Sequence, residues 1–597
     1  MRKPSGPASE HTPEYSIVWQ EWSSALFSYA KAKDKLIFLY LQAPWCQWCR
    51  RLESESLTDP EVSLLISRYF IPLQVDTDVR PDLNLRYTMG GWPSIVVLTP
   101  EGEVITGGTF LSKENLKKLL AHCLFLYRSR KKELRERLKQ VKEKSNHHHI
   151  GEGGENLSLP PDILQRTIEF LKADFDPVYG GFGRTPKFPH YEAIELSLLA
   201  TRLFHDPDME EILTRTLDGM VEGELFDQEE GGFFRCSQNR DWSSPQYEKM
   251  LADNAWLLRN YLGASLVTAS ERYKNIAQSI LHYLDTHLFD PDRGAFFGSQ
   301  RADEQYYQKS GTERTFYPAP PYGKAIYTDW NALTVSACLR ASAILGREIY
   351  LDRAKKTMDY LWQHCATGDL GMLHAADLPH DTTWRLLQDQ ISTARALLDC
   401  YQVFGDDSYL SSAALLAQVL SRHFYDDRNG GFWDRMDTKE PSGRLKERVK
   451  PILDNSLSAE FFLKFGVLTQ NPGSLTIARH TLTFFSQDYP RYGIFASYYA
   501  LACYQAMHPA VLVIVLGRRE DPLTRTFLHK TFARYEPRKV IKLLDLDQHP
   551  EMIQLLQQSG HKAPRGYLYI GQNCQLETDN IERLIQAIDA LSQTKIA

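Results

Sequence analysis

Six times between residues 175 and 495 the chain makes an acidic turn that closes on glycine, in most cases with an aromatic residue beside it. The turns are Phe175-Asp176…Gly181-Phe182, Phe226-Asp227…Gly232-Phe233, Phe289-Asp290…Gly294…Phe296, Asp369…Gly371, Asp426-Asp427…Gly431-Phe432 and a degenerate Asp488…Gly493…Phe495. Their closing glycines lie 51 to 77 residues apart, which is room for two helices of about 15–20 residues with their loops. The sequence between them has helical periodicity and no run of period-two alternation, which excludes strand-rich solenoids. Six helical hairpins that close on themselves predict an (α/α)6 toroid over residues 159–505.

The flanks are different. Residues 14–125 predict an α/β domain: a helix over Ser23–Lys33, a buried strand over Leu36–Leu41, strands over Tyr69–Val75 and Ser94–Leu98, and a hairpin turn at Glu101-Gly102. Residues 126–158 read as a basic helical run and a linker, broken by His147–His149 and Gly151–Gly154. Residues 509–597 predict a small C-terminal α/β domain, with strands over Val511–Leu516, Val540–Leu546 and Tyr567–Ile570 and helices over Pro522–Tyr535 and Asn580–Leu591. In a chain of 597 residues with net charge −6, nothing global suggests nucleic acid or a membrane surface. No apolar stretch approaches the ~20 residues of a membrane span, and the polar Met1–Gln20 does not read as a secretory signal. Nine cysteines, seven of them scattered singly, fit a reducing, cytoplasmic compartment.

Two cysteines stand together. The strand Leu36–Leu41 runs into Ala43-Pro44-Trp45-Cys46-Gln47-Trp48-Cys49, followed by a helical segment. Strand, Cys-x-x-Cys and helix in that order place Cys46 at a helix N-terminus, where free N–H groups and the helix dipole favour a thiolate. Cys49, one turn inside, would resolve a mixed disulfide, and Pro93 of Gly91-Trp92-Pro93 is the expected cis-proline support. A zinc site would need two further ligands at close spacing, and no second Cys-x-x-Cys exists. A thioredoxin's buried aspartate would stand six residues before the first cysteine; here Tyr40 stands there, so the usual proton acceptor is missing.

These segments, with Arg51-Leu-Glu53-Ser-Glu55-Ser56, Val75-Asp76, Arg80-Pro81-Asp82, Leu98-Thr-Pro100 and Gly107-Gly-Thr109, resemble the spermatogenesis-associated protein 20 family. The resemblance continues through Gly180-Gly-Phe-Gly183, Pro186-Lys-Phe-Pro189, Gly231-Gly-Phe, Tyr247-Glu-Lys-Met-Leu251, Asp253-Asn254, Trp330-Asn331 and Gly430-Gly-Phe432. It implies a thioredoxin-like domain joined to a six-hairpin glycosidase-like toroid. The chain departs from the family pattern where Gln47 and Arg50 replace the histidines of Cys-His-Trp-Cys-His. It departs again where Pro245-Gln246-Tyr247 replaces Pro-His-Phe.

Inner helices of a toroid begin around one mouth. Polar clusters recur where they should start: Glu248-Lys249…Asp253-Asn254, Asp329-Trp330-Asn331, Asp389-Gln390 and Asp454-Asn455, with Lys187 and His190 in the corresponding place of the first repeat. Any one of these predicts a helix N-cap as readily as a ligand contact. Together they suggest a shared polar site, with Asp253, Asp329, Asp389 and Asp454 as candidate carboxylates. Lys187, His190, Trp242, Glu248, Lys249, Asn254, Trp330, Asn331, Gln390 and Asn455 are the candidate ligand contacts. Two carboxylates across a ligand are what glycoside hydrolysis requires. An epimerase would instead use a base such as His190 or His374. The expected ligand is a neutral or amino sugar-like molecule, because no Gly-rich loop or Arg cluster for phosphate is apparent in the sequence. No cofactor or metal is called for. The overall reading is thiol–disulfide activity coupled to a toroid that binds or processes a carbohydrate-like ligand, with a thiol or disulfide protein as the expected partner. The alternatives are a non-catalytic binding protein, and a sugar hydrolase or epimerase whose thioredoxin-like domain only docks.

Overall fold

A computed structural model describes residues 16–146, 158–378, 384–437 and 441–591. The predicted linker features His147–His149 and Gly151–Gly154 lie outside them. The chain divides into two compact units, one built on the N-terminal region and one on the rest.

The first unit holds α1 (Ser24–Lys33), β1 (Leu36–Gln42), α2 (Gln47–Leu52), α3 (Pro60–Tyr69), β2 (Phe70–Asp76), α4 (Pro81–Tyr87), β3 (Ser94–Leu98), β4 (Val104–Gly108), α5 (Lys113–Ser129) and α6 (Lys131–Asn146). Its sheet order is β2-β1-β3-β4, with β1 parallel to β2 and antiparallel to β3. β1 and β3 are buried almost throughout, as expected of central strands covered on both faces. The basic run is two helices with a break at Arg130, and the first of them starts well before residue 126. Residues 441–447, which the sequence reading left within the toroid, group with this first unit. The backbone N–H of Arg444 donates to the Tyr87 hydroxyl at 2.7 Å, and Leu445 joins the core beneath α1 and β1.

The second unit contains twelve toroid helices: α7 (Ile163–Asp174), α8 (Tyr191–Phe204), α9 (Pro207–Glu222), α10 (Leu251–Val267), α11 (Glu271–Tyr283), α12 (Thr328–Leu345), α13 (Ile349–Cys365), α14 (Leu387–Phe404), α15 (Asp407–Val419), α16 (Ile452–Thr469), α17 (Pro472–Phe484) and α18 (Ser497–Met507). Helices α8, α10, α12, α14, α16 and α18 touch in that order, and α18 returns to α8. Each inner helix packs against one outer partner, and α7 serves as the partner of α18. The ring is therefore closed by the first and last helices, and the architecture is an (α/α)6 toroid. Inner helices are buried around much of their circumference, while α9 and α11 alternate apolar and polar faces.

Five of the six acidic turns close with an antiparallel bridge across their ends, as in Phe226 with Phe233 and Phe289 with Phe296. Their closing glycines, such as Gly232 at φ +74°, take the left-handed backbone that other residues avoid. In the sixth, a 3-10 helix over Tyr489–Ala496 replaces the bridge.

After α18 come β5 (Val511–Gly517), α19 (Pro522–Phe532), β6 (Lys539–Asp545), α20 (Pro550–Ser559), β7 (Arg565–Ile570), β8 (Asn573–Thr578) and α21 (Ile581–Ala590). The sheet order is β6-β5-β7-β8, with β5 parallel to β6 and antiparallel to β7. This repeats the order and directions of the N-terminal sheet. Both domains also carry a cis X–Pro bond just before the matching strand, Trp92–Pro93 before β3 and Ala563–Pro564 before β7. The C-terminal domain is thus a second thioredoxin-like fold. Arg518-Arg519-Glu520-Asp521 follows its first strand where the first domain has its cysteines.

Candidate functional site

In the first unit β1 delivers the chain to Cys46, which is the N-cap of α2. The backbone N–H of Cys49 donates to Cys46 Sγ at 3.1 Å. A helix-terminal N–H aimed at sulfur stabilises the thiolate over the thiol. Both cysteines are free thiols and only 2% exposed. Trp45 and Trp92 meet edge to face at 5.7 Å and are each tied down, Trp45 Nε1 to Asp78 at 2.7 Å and Trp92 Nε1 to Thr77 at 2.8 Å. Pro93 follows a cis bond. The buried Tyr40 hydroxyl donates to Glu53 Oε1 at 3.0 Å and lies 3.4 Å from the Cys49 carbonyl. Burial, with the nearby Cys49 and Glu53 charges, drives Tyr40 far above the usual tyrosine range. Tyr40 therefore stays neutral and links a carboxylate to the neighbourhood of the cysteines. Glu53 had no place in the reading of the Cys-x-x-Cys motif, because no spacing rule joins residue 40 to residue 53.

In the toroid, none of the four candidate aspartates is a cap. The N-cap residues of α10, α12, α14 and α16 are Met250, Tyr327, Leu386 and Pro451, none with a side-chain capping bond. Asp253, Asp389 and Asp454 sit at the third helical position and Asp329 at the second.

Asn254, Asn331, Gln390 and Asn455 all occupy the fourth position, and they are not free for a ligand. Each amide oxygen accepts the backbone N–H of the preceding turn, from Phe233, Phe296, Met372 and Phe432 in order, at 2.6–2.8 Å. Each amide nitrogen donates to that same residue's carbonyl and to the carbonyl of the N-cap residue. All four are fully buried. Lys187 and Lys249 are likewise consumed. Lys187 pairs with Asp176 at 2.8 Å and Lys249 with Asp227 at 2.6 Å, both fully buried. Lys450 makes the same pair with Asp426 at 2.8 Å. Trp242 is 1% exposed and donates to the Tyr179 carbonyl at 2.9 Å. The expected ligand contacts through Lys187, Lys249, Trp242, Asn254, Asn331, Gln390 and Asn455 are therefore corrected to turn locks. The recurrence that suggested a shared site belongs to the repeat's own construction.

What remains is acidic. Asp389 is buried and meets His374 Nδ1 at 2.9 Å. Asp329 accepts from Gln388 Nε2 at 3.1 Å, and its other oxygen is buried with no hydrogen-bond partner among the described residues. Burial pushes Asp329 up to about 7, helped by the Asp389 charge. Burial, then the Asp434 and Asp389 charges, pushes Asp454 up to about 7. Burial raises Asp389 as well, against the pull of His374. Asp329, Asp389 and Asp454 thus share one field. On another side Tyr191 donates to Asp253 at 2.5 Å. Burial raises Asp253, while the charge of Arg235, which also faces Glu248, draws it down. His190 rests edge-on against Phe182 and Phe495, and burial lowers it to about 4, so its ring is neutral at physiological pH. Trp330 is partly exposed and packs on Tyr327. Ligand atoms of Asp329, His374 and Asp389 all lie within 4.8 Å of one another, a grouping able to hold a divalent metal. Tyr191, Arg235 and Gln388 were invisible to the sequence reading, since each reaches an aspartate from another hairpin or from an unmarked helix position.

The molecule is thus a protein in which a thioredoxin-like domain carrying Cys-x-x-Cys is joined to an (α/α)6 toroid. The family model Thioredox_DsbH, described as a protein of unknown function, DUF255, matches residues 7–146. Spermatogenesis-associated protein 20 of Homo sapiens is 24% identical over 89% of this chain and 84% of its own. An uncharacterized protein of Caenorhabditis elegans is 29% identical over 72% of this chain and 75% of its own. The resemblance to the spermatogenesis-associated protein 20 family therefore holds along most of the chain. Among solved structures, the cellobiose 2-epimerase of Spirochaeta thermophila is 16% identical, with a TM-score of 0.47 over 59% of this chain and 98% of that one. A D-mannose isomerase is 14% identical, with the same score over 58% and 97%.

Proposed function

We propose that this protein carries out thiol–disulfide exchange through Cys46 and Cys49. The observation that carries the reading is the Cys49 N–H donated to Cys46 Sγ at 3.1 Å. The Cys46 thiolate attacks a partner disulfide, forming a mixed disulfide and expelling one partner thiolate, which takes up a proton. Cys49 then loses its proton and attacks Cys46 Sγ. The Cys46–Cys49 disulfide forms and the second partner sulfur leaves as a thiolate. The partner gains two electrons and the cysteine pair loses two. The Tyr40–Glu53 pair lies beside Cys49, and we assign it as acceptor of the Cys49 proton in place of the missing aspartate. Nine free cysteines, eight of them buried, suit a cytoplasmic setting. Among the described residues no helix is long and apolar enough to cross a membrane. The test is reduction of insulin disulfides by the full chain with dithiothreitol as electron source. Turnover lost in Cys46→Ser is expected; turnover equal in wild type and Cys46→Ser refutes the assignment.

A second reading is favoured by one further observation: two carboxyls held at about 7 beside a His374–Asp389 pair. A carboxyl that titrates near neutrality can give or take a proton at working pH. We infer that the toroid mouth performs acid–base chemistry on a hydroxylated, carbohydrate-like ligand. Calorimetry with mono- and oligosaccharides, on wild type and Asp329→Asn, tests it. Sugar binding or turnover that is absent, or unchanged by the substitution, overturns it and leaves the toroid as a binding scaffold.

A further inference from the structure

Beneath the acidic residues the inner helices carry a different set of groups. Arg259 lies six residues after Asp253 and Arg395 six after Asp389, about 9 Å further along their helices at 1.5 Å per residue. Between the two levels is an aromatic layer. Trp256 stacks on Tyr191 at 6.2 Å and meets Tyr498 edge-on at 6.0 Å, and Arg259 lies over the opposite part of the layer, 5.2 Å from the Trp256 ring. Below this layer is a cavity of about 120 Å³, lined by all six inner helices and closed by the α19–β6 loop of the second thioredoxin-like domain. Sequence spacing shows no arginine cluster. The fold makes one, bringing Arg259 from α10, Arg340 from α12, Arg395 from α14 and Arg534 from the closing loop to one chamber.

Six basic and four acidic side chains line it; of the acidic ones Glu195 and Asp399 accept from the amides of Asn260 at 3.2 Å and Gln402 at 3.5 Å, and the other two are ion-paired. Glu460 is held by Arg395 and Lys464, each at 2.7 Å. Glu536 is held by Arg538 in a two-point contact at 2.9 and 3.0 Å. Arg259 and Arg340 make no ion pair with a carboxylate among the described residues, and Arg340 rests instead on the Tyr535 ring at 5.7 Å. Three donors here are buried with no hydrogen-bond partner among the described residues: Arg259 Nε, Arg534 Nε and the Tyr535 hydroxyl. Such orphans are expensive and are rarely kept without a ligand or water to receive them. Guanidinium N–H groups with a phenol hydroxyl are a donor set for tetrahedral oxyanions. The space equals about four waters' share of the liquid, enough for one phosphate group and a water or two.

We propose that this chamber is a phosphate-binding site, filled by inorganic phosphate or by the phosphate end of a small ester, and that its occupant ties the second thioredoxin-like domain to the base of the toroid. This site shares no lining residue with the acidic mouth, and it does not depend on either proposed activity. The experiment is titration calorimetry on the full chain at constant ionic strength, with inorganic phosphate in one arm and glycerol 3-phosphate in the other. The variants are Arg259→Gln, Tyr535→Phe and, as control, Arg272→Gln on the outer helix α11. Saturable phosphate binding is expected, weakened at least tenfold in Arg259→Gln, several-fold in Tyr535→Phe, and unchanged in Arg272→Gln. Binding of the ester alone, with the same dependence, assigns the site to a phosphate ester. If neither probe binds, or if binding survives both Arg259→Gln and Tyr535→Phe unaltered, the proposal is wrong. Tyr535→Phe removes a single hydroxyl and keeps the ring, so the result stands even where Arg259→Gln fails to fold.

Discussion

Replacing Asp454 by asparagine should stabilise the protein, and the gain should depend on pH. Asp454 ordinarily would titrate near 3.8 and is held at about 7. Its position in the first turn of α16 favours the anion through the helix dipole, yet burial and the charges of Asp434 and Asp389 outweigh that. One pKa unit is about 1.4 kcal/mol, so the full displacement corresponds to about 4 kcal/mol. The residue is partly exposed, and solvent screening reduces this to about 1–2 kcal/mol. The sign follows from proton counting. Between pH 4 and 7 the folded protein keeps a proton that the unfolded chain has lost, so stability falls as pH rises through that window. Above pH 7 the whole cost is present; below pH 4 none is. Asparagine has nearly the same shape and no charge to desolvate. Urea unfolding of wild type and Asp454→Asn, followed by tryptophan fluorescence, should show the variant more stable by about 1–2 kcal/mol at pH 8, with less than half of that gain left at pH 5. A variant that is less stable at pH 8, or a difference equal at both pH values, refutes the argument. The field around Asp454 would then not be what holds its proton.

Other outcomes are expected from the same geometry. Iodoacetamide under native reducing conditions should label Cys46 before Cys49, Cys236 or Cys338, as peptide mapping can read; faster labelling at Cys49 removes Cys46 from its role. Tyr40→Phe and Glu53→Gln should leave Cys46 alkylation intact but slow resolution of a mixed disulfide by about tenfold, a modest general-base effect, measurable as trapped adduct in quenched-flow samples. Asn455→Ala leaves the Phe432 N–H and C=O without their partner, while the Pro451 carbonyl keeps the backbone N–H of residue 455; the substitution should cost about 2–4 kcal/mol in urea unfolding. Lys249→Met should cost about 3 kcal/mol, the lower end for a broken buried pair, because Arg314 still holds Asp227 at 2.8 Å.

The toroid was legible because its repeat is written in glycines and aromatics that the backbone of each turn requires. The role of the polar residues beside those turns was not. An asparagine that clamps a turn and one that binds a sugar are the same letter at the same spacing. Only the backbone of the preceding hairpin, more than twenty residues upstream for Asn254 and Asn331, separates the two. The cysteine motif was legible for the opposite reason: Cys46, Cys49 and the helix that polarises them are contiguous. The second thioredoxin-like fold went unnoticed as such because that motif is absent from it, and what identifies it is strand order. Arg259, Arg340 and Arg395 stand on three helices spread over 137 residues, so nothing short of the closed ring could place them together.

The turn locks also explain why the acidic site has the shape it does. Successive helix positions are 100° apart. With the fourth-position amide fixed on the outer turn, the third-position residue is rotated away from that turn by a set amount. On α10, α14 and α16 that residue is Asp253, Asp389 or Asp454. On α12 it is Trp330, and the acid has moved one place earlier, to Asp329. That single step turns the Asp329 carboxyl toward the start of α14, where it meets Gln388 and feels Asp389. A regular ring of acids would spread its charge evenly around the mouth. The shifted one instead gathers two carboxyls and His374 on one side, and leaves Asp253 with Tyr191 and Arg235 on another. An acid–base reaction needs that inequality, because a proton donor and a proton acceptor must face the same ligand in different protonation states. The amide that looks functional thus holds the frame, and the displaced aspartate beside it gives the frame two unlike sides.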